Sequence, residues 1–420
     1  MFPSGSLAPL ANPNFRYLIA GFSIGQMLIP LQFITQILWV QHNAPEDIWL
    51  ILVAFIATCR GVGALTFGLY GGALADRYNR KTILLIILCL QIVTTAGIAA
   101  LMLMNIGGKA GFAIFFLLTF IGSGLQSIDG PTRLSIVPDL LGPELTSAGM
   151  SLNQVAGQIA MPVAMLFTGI LINSLGFGGA YLFSIFGLVI SIICIAMMSY
   201  VPDPEQVSRS QQRYGALEAI SDVRIGLRYA KDHNIIWWVI VLMVTMMSLG
   251  YPATASLGPT WVTTVIEVEI ADMGYVVMFW GIGSFVAAMF LTRYASIKQR
   301  GIVLVVGAIL FSVSFIVFTS GHTPLNAIIG NLGLGAGMTM TMVSSTILIQ
   351  HLVPNEIRGR VMSIFQLNMA LAQLMTMPVA LLGQWLTLQV LFPYLAVITL
   401  GLVILIVVSQ PQLRQASIET

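Results

Sequence analysis

The sequence predicts an all-α polytopic membrane protein, a fold class indicated by its composition and by its pattern of apolar stretches. Of the 420 residues, 57% are hydrophobic and only 8% are charged, whereas soluble domains carry about 25% charged residues. The apolar stretches reach about 20 residues, the length at which a helix crosses a hydrocarbon layer about 30 Å thick. Because the strands of a membrane barrel alternate polar and apolar residues over about ten positions, such continuous stretches exclude a β-barrel.

We predict twelve transmembrane helices in two pseudosymmetric six-helix bundles. The predicted spans are 15–39, 48–74, 82–105, 111–136, 146–173, 178–201, 235–264, 271–294, 301–320, 323–350, 360–386 and 388–409. The longest connection lies between the sixth and seventh spans, and it divides the chain into an N-terminal bundle, a linker and a C-terminal bundle. The three predicted domains are 1–201, 202–234 and 235–420.

The linker contains the stretch DVRIGLRYAKDH, which is typical of an amphipathic helix. The side chains that could face an apolar surface are Val223, Leu227 and Tyr229. Those that could face water are Arg224, Arg228 and Lys231. Such a helix would lie on the membrane surface and tie the two halves together. A regulatory role is the alternative.

An internal repeat supports the division into two halves. The segment ELTSAGMSL at 144–152 enters the fifth span, and EIRGRVMSI at 356–364 enters the eleventh. Arg77-Tyr78 after the second span has a weaker counterpart in Arg293-Tyr294 after the eighth. Repeated halves of this kind usually place a transported substrate near the middle of the bilayer and move between two states.

The basic residues predict the orientation of the chain. All lysines and arginines except Arg60 and Lys109 lie at the termini or in even-numbered connections, which fall on one side of the membrane. Because basic residues concentrate on the cytoplasmic side, both termini should be cytoplasmic.

The stretch GGALADRYNRK, between the second and third spans, concentrates the charge of an otherwise apolar region. Its charged residues are Asp76, Arg77, Arg80 and Lys81. Basic residues here would be explained by membrane orientation alone, but an acid beside them would not. Gly72 permits close approach of helices, and the Asp76 carboxylate can accept hydrogen bonds from arginines or from a helix N-terminus.

This stretch resembles the G-x-x-x-D-R-x-x-R-[KR] motif of the major facilitator superfamily, and the resemblance covers essentially the whole chain. Further segments are similar to the branch that contains enterobactin-type siderophore exporters and macrolide efflux proteins. They are PTR at 131–133, PD at 138–139, LN at 152–153, SDVRIGLRYAKDH before the seventh span and VPNEIRGRVMS before the eleventh.

The resemblance implies that the loop closes a gate on the cytoplasmic side while the cavity opens outward. It assigns Asp76 and Arg80 to the gate, with an acid at the end of the fourth span as their partner. Asp129 has that position, and Arg133 follows it at the i,i+4 spacing of a helical ion pair. A rival interpretation makes Asp129 a proton carrier whose pKa changes as the cavity opens and closes.

Polar residues inside the predicted spans are candidates for the substrate cavity. Arg60 is charged and lies in an apolar span, so it could bind an anionic substrate, although it could also snorkel or bond to backbone. Helix–helix hydrogen bonds explain most of the others individually. With 22 methionines and 10% aromatic residues, they indicate a roomy, mostly apolar cavity. The full set is Gln26, Gln32, Gln36, Arg60, Asn153, Tyr251, Thr254, Trp280, Asn331, Gln366 and Asn368.

These features predict a secondary transporter that exports a small amphiphilic molecule, a siderophore or a drug, by alternating access. The family resemblance implies that inward proton movement drives the export. The expected location is the inner membrane of a bacterium. The first span has amides where many proton-driven relatives have an acid, and GQIAMPVAML in the fifth span lacks the glycines of the antiporter motif. An importer of a small metabolite is the alternative.

Other classes of protein fit less well. The four histidines are dispersed, and no nucleophile–base pair or metal-binding cysteine cluster is evident, so we expect no enzymatic activity, cofactor or metal. The chain lacks a phosphate-binding loop for ATP. The expected partners are the small-molecule substrate and the lipid bilayer, without nucleic acid, and the protein is expected to be monomeric.

Overall fold

The structure, a computed structural model, describes the backbone of residues 7–200, 216–294 and 298–417. It describes their side chains except those of residues 69–77, 216–222, 355, 363 and 366. The fold is nearly all helical, with 91% of residues in helices and no strand in the part of the chain described. The predicted all-α polytopic fold class is confirmed.

The helices follow one another through short connections. A 3-10 turn, Ala8–Ala11, precedes the first of them. They are α1 (Pro13–Asn43), α2 (Trp49–Arg77), α3 (Arg80–Leu103), α4 (Gly108–Met197), α5 (Ala216–Asp232), α6 (Asn234–Tyr251), α7 (Gly258–Thr264), α8 (Ile270–Arg293), α9 (Arg300–Ser320), α10 (Pro324–Leu352), α11 (Asn355–Leu386), α12 (Leu388–Ser409) and α13 (Pro411–Gln415).

The long helix α4 is broken at two glycines. Gly142 has φ 71° and Gly176 has φ 69°, in the left-handed region where glycine has no steric penalty. Its three segments are therefore 108–141, 143–175 and 177–197. Ten helices among the described residues are long and apolar enough to cross a membrane. The nine other spans and the three segments of α4 make twelve, in agreement with the sequence.

The seventh predicted span changes its helical form part-way. After α6, Pro252–Ser256 forms a π-helical turn before α7 begins. The wider turn is closed by the backbone N–H of Leu257, which donates to the carbonyl of Pro252 at 2.8 Å. Such turns widen a helix locally and are frequent at functional sites.

The chain divides into two compact units. The first comprises Met1–Ala44 and Val62–Ala216, and the second comprises Pro45–Gly61 and Leu217–Thr420. The start of α2 therefore belongs with the second unit, and so does most of the linker helix α5. The predicted domain boundaries instead assigned all of α2 to the first bundle and α5 to a separate linker.

In the first unit, the start of α1 is fixed to α4. Asn12 accepts a hydrogen bond from the backbone N–H of Asn14 at 2.9 Å and so caps α1. Its side-chain amide donates to the carbonyl of Leu140 at 2.8 Å, near the end of the first segment of α4. Phe15 and Ile136 are fully buried in the core beside this contact.

In the second unit, α8 and α10 approach closely at glycines. A side chain on Gly283 would overlap the Leu332 carbonyl, and one on Gly335 would overlap the Trp280 carbonyl. Small residues at facing positions allow membrane helices to make such backbone contacts.

The linker helix α5 packs on α11 through Gly226, where a Cβ would lie 2.8 Å from the Arg360 carbonyl oxygen. Val223 and Tyr229 are partly buried, and Ala230 is fully buried. Leu227 is exposed. The stretch 202–215 of the predicted linker lies outside the described residues.

Candidate gate and substrate-binding residues

A cluster of hydrogen bonds joins the start of α3 to the first segment of α4 in the first unit. Arg80 binds Asp139, with 2.6 Å between Nη1 and Oδ2, and each side chain is 14% exposed. The same Nη1 donates to the carbonyl of Ser135 at 2.8 Å. Tyr200 donates its hydroxyl to Asp139 Oδ2 at 2.7 Å. We call Arg80, Asp139 and Tyr200 the Asp139 cluster.

The Asp139 cluster changes the acidity of Tyr200, which lies beyond the last residue of α4. Burial of the phenol, together with the hydrogen bond to Asp139 and its charge, raises the pKa of Tyr200 from 10.0 to about 12. Arg80 opposes the change, since its positive charge favours the phenolate. The tyrosine therefore remains a hydrogen-bond donor over the physiological pH range.

Lys81 stabilises the end of α4. Its ammonium donates to the carbonyls of Ala196 at 2.9 Å and Met198 at 2.6 Å. These carbonyls lie at a helix C-terminus, where the last four have no partner within the helix and where positive charge is favourable. Asn79 caps α3 through its side-chain oxygen, which accepts from the backbone N–H of Lys81.

A second ion pair lies deeper in the first unit. Arg133 Nε is 2.7 Å from Asp129 Oδ2, at the i,i+4 spacing, and the Arg133 side chain is 2% exposed. Arg133 Nη2 donates to the Ser191 hydroxyl at 3.0 Å, and that hydroxyl lies 3.2 Å from the Gly21 carbonyl, to which it donates. We call Asp129, Arg133 and Ser191 the Asp129 cluster. It joins the first and third segments of α4 to α1.

Gly21 makes room for the Asp129 cluster. A Cβ at this position would lie 3.1 Å from Arg133 Nη1 and 3.3 Å from the Ser191 hydroxyl. That spacing is tight for a side chain and would displace the guanidinium. The glycine on α1 is thus matched to an arginine on α4.

The structure distributes the predicted gate residues over two ion pairs. Arg80 binds Asp139, whereas Asp129, the partner predicted for the gate, binds Arg133. The side chains of Gly72, Asp76 and Arg77 lie outside the described residues, so the role of this stretch as a gate stays a prediction. Sequence reasoning missed Asp139 and Tyr200.

A signal for Asp139 was present, because it is an acid directly after the fourth predicted span, within the Pro138-Asp139 segment that also carried the branch resemblance. Nothing in the sequence marks Tyr200, which lies at the end of the sixth predicted span, a few residues beyond the end of α4.

Several cavity candidates in the first unit already have partners there. Gln36 donates to the Tyr181 hydroxyl at 2.8 Å, and both side chains are buried. Gln32 donates to Thr95 at 3.4 Å. Gln26 is partly buried, and Asn153 is buried. The contacts of Gln32 and Gln36 join neighbouring spans, as expected for structural hydrogen bonds between membrane helices.

In the second unit, Arg60 and Tyr251 come together. Tyr251 lies near Arg60 and near the side-chain amide of Gln373. The three side chains come from α2, the end of α6 and α11, and each is partly buried. We call them the Arg60 cluster. Gln373 was absent from the predicted set, although it is an amide in a predicted span like several residues of that set.

The remaining cavity candidates of the second unit differ from one another in their contacts and burial. Asn331 is buried and donates to the Val276 carbonyl at 3.3 Å, which joins α10 to α8. Trp280 is buried at the α8–α10 contact. Asn368 is 4% exposed, and within the described part of the chain its Nδ2 has no hydrogen-bond partner. The Gln366 side chain lies outside the described residues.

No metal centre is evident in the residues that the structure describes. Groups of three or more His, Cys, Asp or Glu side chains that could hold an ion are absent there. The candidate chemistry is therefore that of hydrogen bonds, charge and apolar contact.

Comparison with solved structures identifies similar folds. The chain superposes on a variant of the nucleoside transporter NupG with a TM-score of 0.74 and 14% identity, over 96% of this chain and 100% of that one. It superposes on the peptide transporter POT in complex with sulfate with a TM-score of 0.72 and 14% identity, over 97% and 96%. A POT variant in complex with alafosfalin gives 0.72 and 15%, over 96% and 95%.

Comparison of the sequence with curated proteins finds no match. A family model, described as Major Facilitator Superfamily, matches residues 17–377, which is most of the chain. The match agrees with the helical architecture and the spans described above. The chain belongs to the Major Facilitator Superfamily and is a multi-pass membrane transporter.

Proposed function

We propose that the protein is a secondary active transporter that exports a small amphiphilic molecule of the siderophore or drug class. In this proposal it exposes its binding site alternately to the two sides of the membrane, and inward proton movement drives the cycle. Export is supported by the segments that resemble siderophore and macrolide exporters, and proton drive by family resemblance alone. The siting in a bacterial inner membrane with cytoplasmic termini is supported by the distribution of basic residues.

The pairing of Asp129 with Arg133 is the observation that carries the proposed substrate class. Asp129 lies near the end of the fourth predicted span, and its charge is balanced by a buried arginine 2.7 Å away. Recognition of an organic cation usually requires an available carboxylate or an aromatic cage. A neutral or anionic amphiphile therefore fits the described polar groups better than a cation does.

The ion pairs also bear on the proposed gate. Arg80, which the family resemblance assigns to the gate, is held by Asp139 and the Ser135 carbonyl. Those contacts fix the start of α3, which lies within the GGALADRYNRK stretch, so the stretch is anchored at its C-terminal end. A rigid anchor on one side is what a loop needs in order to close and open as a unit.

Retention assays in an efflux-deficient bacterium test this function. Cells expressing the wild-type chain or Asp76→Asn, matched for abundance in the membrane, would be loaded with a panel of siderophores, macrolides and neutral, anionic and cationic dyes. Asp272→Asn, at the start of α8, is the matched control for loss of an acid.

We expect cells with the wild-type or Asp272→Asn protein to retain less of one neutral or anionic class of compound than cells without the protein. Cells with Asp76→Asn should not show this lower retention. Abolition of the difference by a proton uncoupler would support the proton drive. Higher retention in wild-type cells would overturn export in favour of uptake of a metabolite, the alternative function. Selective loss of cationic dyes would overturn the proposed substrate class.

A further inference from the structure

The linker helix α5 has one face against the second unit and another face that is exposed. Gly226, at the contact with α11, and Ala230 are buried. On the other side of the helix, Arg224, Arg228 and Lys231 are all exposed. With 3.6 residues per turn, these three positions lie within about 60° of one another around the helix axis. We call them the basic face.

The positive charge of the basic face is not neutralised by the protein around it. Among the side chains that the structure describes, Arg224 and Arg228 take part in no ion pair. One acid, Asp232, is present in the described part of α5, at its last residue. Three neighbouring bases with so little compensation repel one another and favour an anionic partner.

Aliphatic side chains lie on both sides of the basic face. Ile225 and Leu227 are each 40% exposed, and helical geometry places one on each edge of the row of bases. In water, two exposed aliphatic side chains gain nothing. At a membrane surface, however, they can contact acyl chains while the neighbouring bases contact headgroups. The combination of charge and apolar surface therefore fits a lipid better than a soluble anion.

The depth of α5 follows from its contact with the next helix. Lys231 Nζ lies 5.6 Å from the centre of the Trp237 ring. Trp237 and Trp238 are in the first turn of α6, a helix long and apolar enough to begin a membrane span. Tryptophan concentrates at the membrane–water interface, at the level of the headgroups. The end of α5 therefore lies in the headgroup layer, within reach of lipid phosphates.

We propose that the basic face binds the headgroup of an anionic phospholipid, while Ile225 and Leu227 contact its acyl chains. The bases donate charge-assisted hydrogen bonds to the phosphate oxygens, and the attraction holds α5 at the membrane surface while its buried face packs on α11. This interaction goes beyond the proposed function, because it depends neither on the transported molecule nor on the direction of transport.

Lipid titration of the purified protein in detergent tests the proposal. Phosphatidylglycerol, which is anionic, and phosphatidylcholine with the same acyl chains would be compared by native mass spectrometry, which gives the affinity of the first lipid bound. We expect the wild type to prefer phosphatidylglycerol. Each base near a membrane surface contributes roughly fivefold to such binding. Arg224→Gln/Arg228→Gln should therefore weaken phosphatidylglycerol roughly twentyfold and leave phosphatidylcholine almost unchanged. Lys231→Gln should weaken it by a smaller factor.

The matched control is Arg293→Gln/Arg414→Gln, which removes two exposed bases elsewhere in the same unit and should leave the preference intact. Equal affinity of the wild type for the two lipids would overturn the proposal, and so would equal losses in the two double variants.

Displacement of phosphatidylglycerol by inorganic phosphate at the same concentration would also overturn it, in favour of a soluble phosphate ligand. If Arg224→Gln/Arg228→Gln bound neither lipid, the single variant Arg228→Gln would decide. A fall of roughly fivefold for phosphatidylglycerol alone supports the lipid site, and an unchanged preference overturns it.

Discussion

Two arginines in membrane-spanning helices, Arg133 in the first unit and Arg60 in the second, have contrasting surroundings. Arg133 is 2% exposed and is bound to a carboxylate and a serine hydroxyl. Arg60 is partly buried and lies near a tyrosine hydroxyl and a glutamine amide. A charge in a membrane has to be stabilised by a partner or be accessible to one. The comparison therefore assigns a structural role to Arg133, whereas the role of Arg60 in the substrate cavity stays a prediction.

The largest expected effect is that of Arg133→Met. It removes the partner of Asp129 and leaves a carboxylate inside the bundle, which typically costs about 3–5 kcal/mol. We expect a marked fall in the unfolding temperature of the purified protein. The double variant Asp129→Asn/Arg133→Met should recover part of the loss, because no charge then remains buried. An Arg133→Met protein as stable as wild type would contradict the structural role of the arginine.

A second comparison concerns how helices are held together in the second unit, where α8 and α10 meet at glycines. Gly335→Ala should destabilise the protein by about 1–3 kcal/mol, since its methyl group would collide with the backbone of Trp280. Gly401→Ala on α12, where the added methyl meets open space, should be neutral or stabilising by up to about 1 kcal/mol. Thermal unfolding of both variants measures the difference, and equal stabilities would be evidence against close backbone contact.

Asp139→Asn should have a smaller effect than Arg133→Met, because the Asp139 cluster is more exposed than Arg133. Asparagine retains an acceptor for Tyr200 but loses the charge that binds Arg80. We expect a loss of about 1 kcal/mol, typical of one hydrogen-bonded interaction, measured by thermal unfolding. Asp272→Asn serves again as the control, and a loss as large as that in Arg133→Met would reverse the ranking of the two clusters.

The sequence predicted interactions that are local and missed those that depend on how distant segments meet. The Asp129–Arg133 pair follows from i,i+4 spacing on one helix and was expected. The Arg80–Asp139 pair joins two helices, so its partner depends on their packing, and the sequence offered several acids. Likewise, Arg60 and Tyr251 were candidates because a polar residue in an apolar span is conspicuous. Gln373 was missed, since its position beside α2 depends on the close approach that Gly61 allows.

The breaks within helices show the same limit of prediction from sequence. The number of spans followed from apolar length alone, yet the breaks in α4 depend on single backbone angles. Gly142 lies two residues before the first copy of the internal repeat, and α11 begins one residue before the second copy. The repeat therefore marks a helix start in both halves, which sequence periodicity could locate only to within a few residues.

The smallest effect that we predict is a dependence of stability on alkaline pH, carried by Tyr200. Its pKa is raised from 10.0 to about 12 in the folded protein, so between these values the unfolded chain releases a proton that the folded protein retains. Stability from this group is complete below pH 10 and is lost as the pH rises through 12. Tyr200→Phe should unfold at temperatures that fall less steeply over that range, and Tyr394→Phe, on an exposed tyrosine, is the matched control. Asp139→Asn should shift the decline to lower pH, because the carboxylate charge that opposes ionisation of the phenol is gone. Identical pH profiles for wild type and Tyr200→Phe would show that the hydrogen bond to Asp139 does not hold the proton.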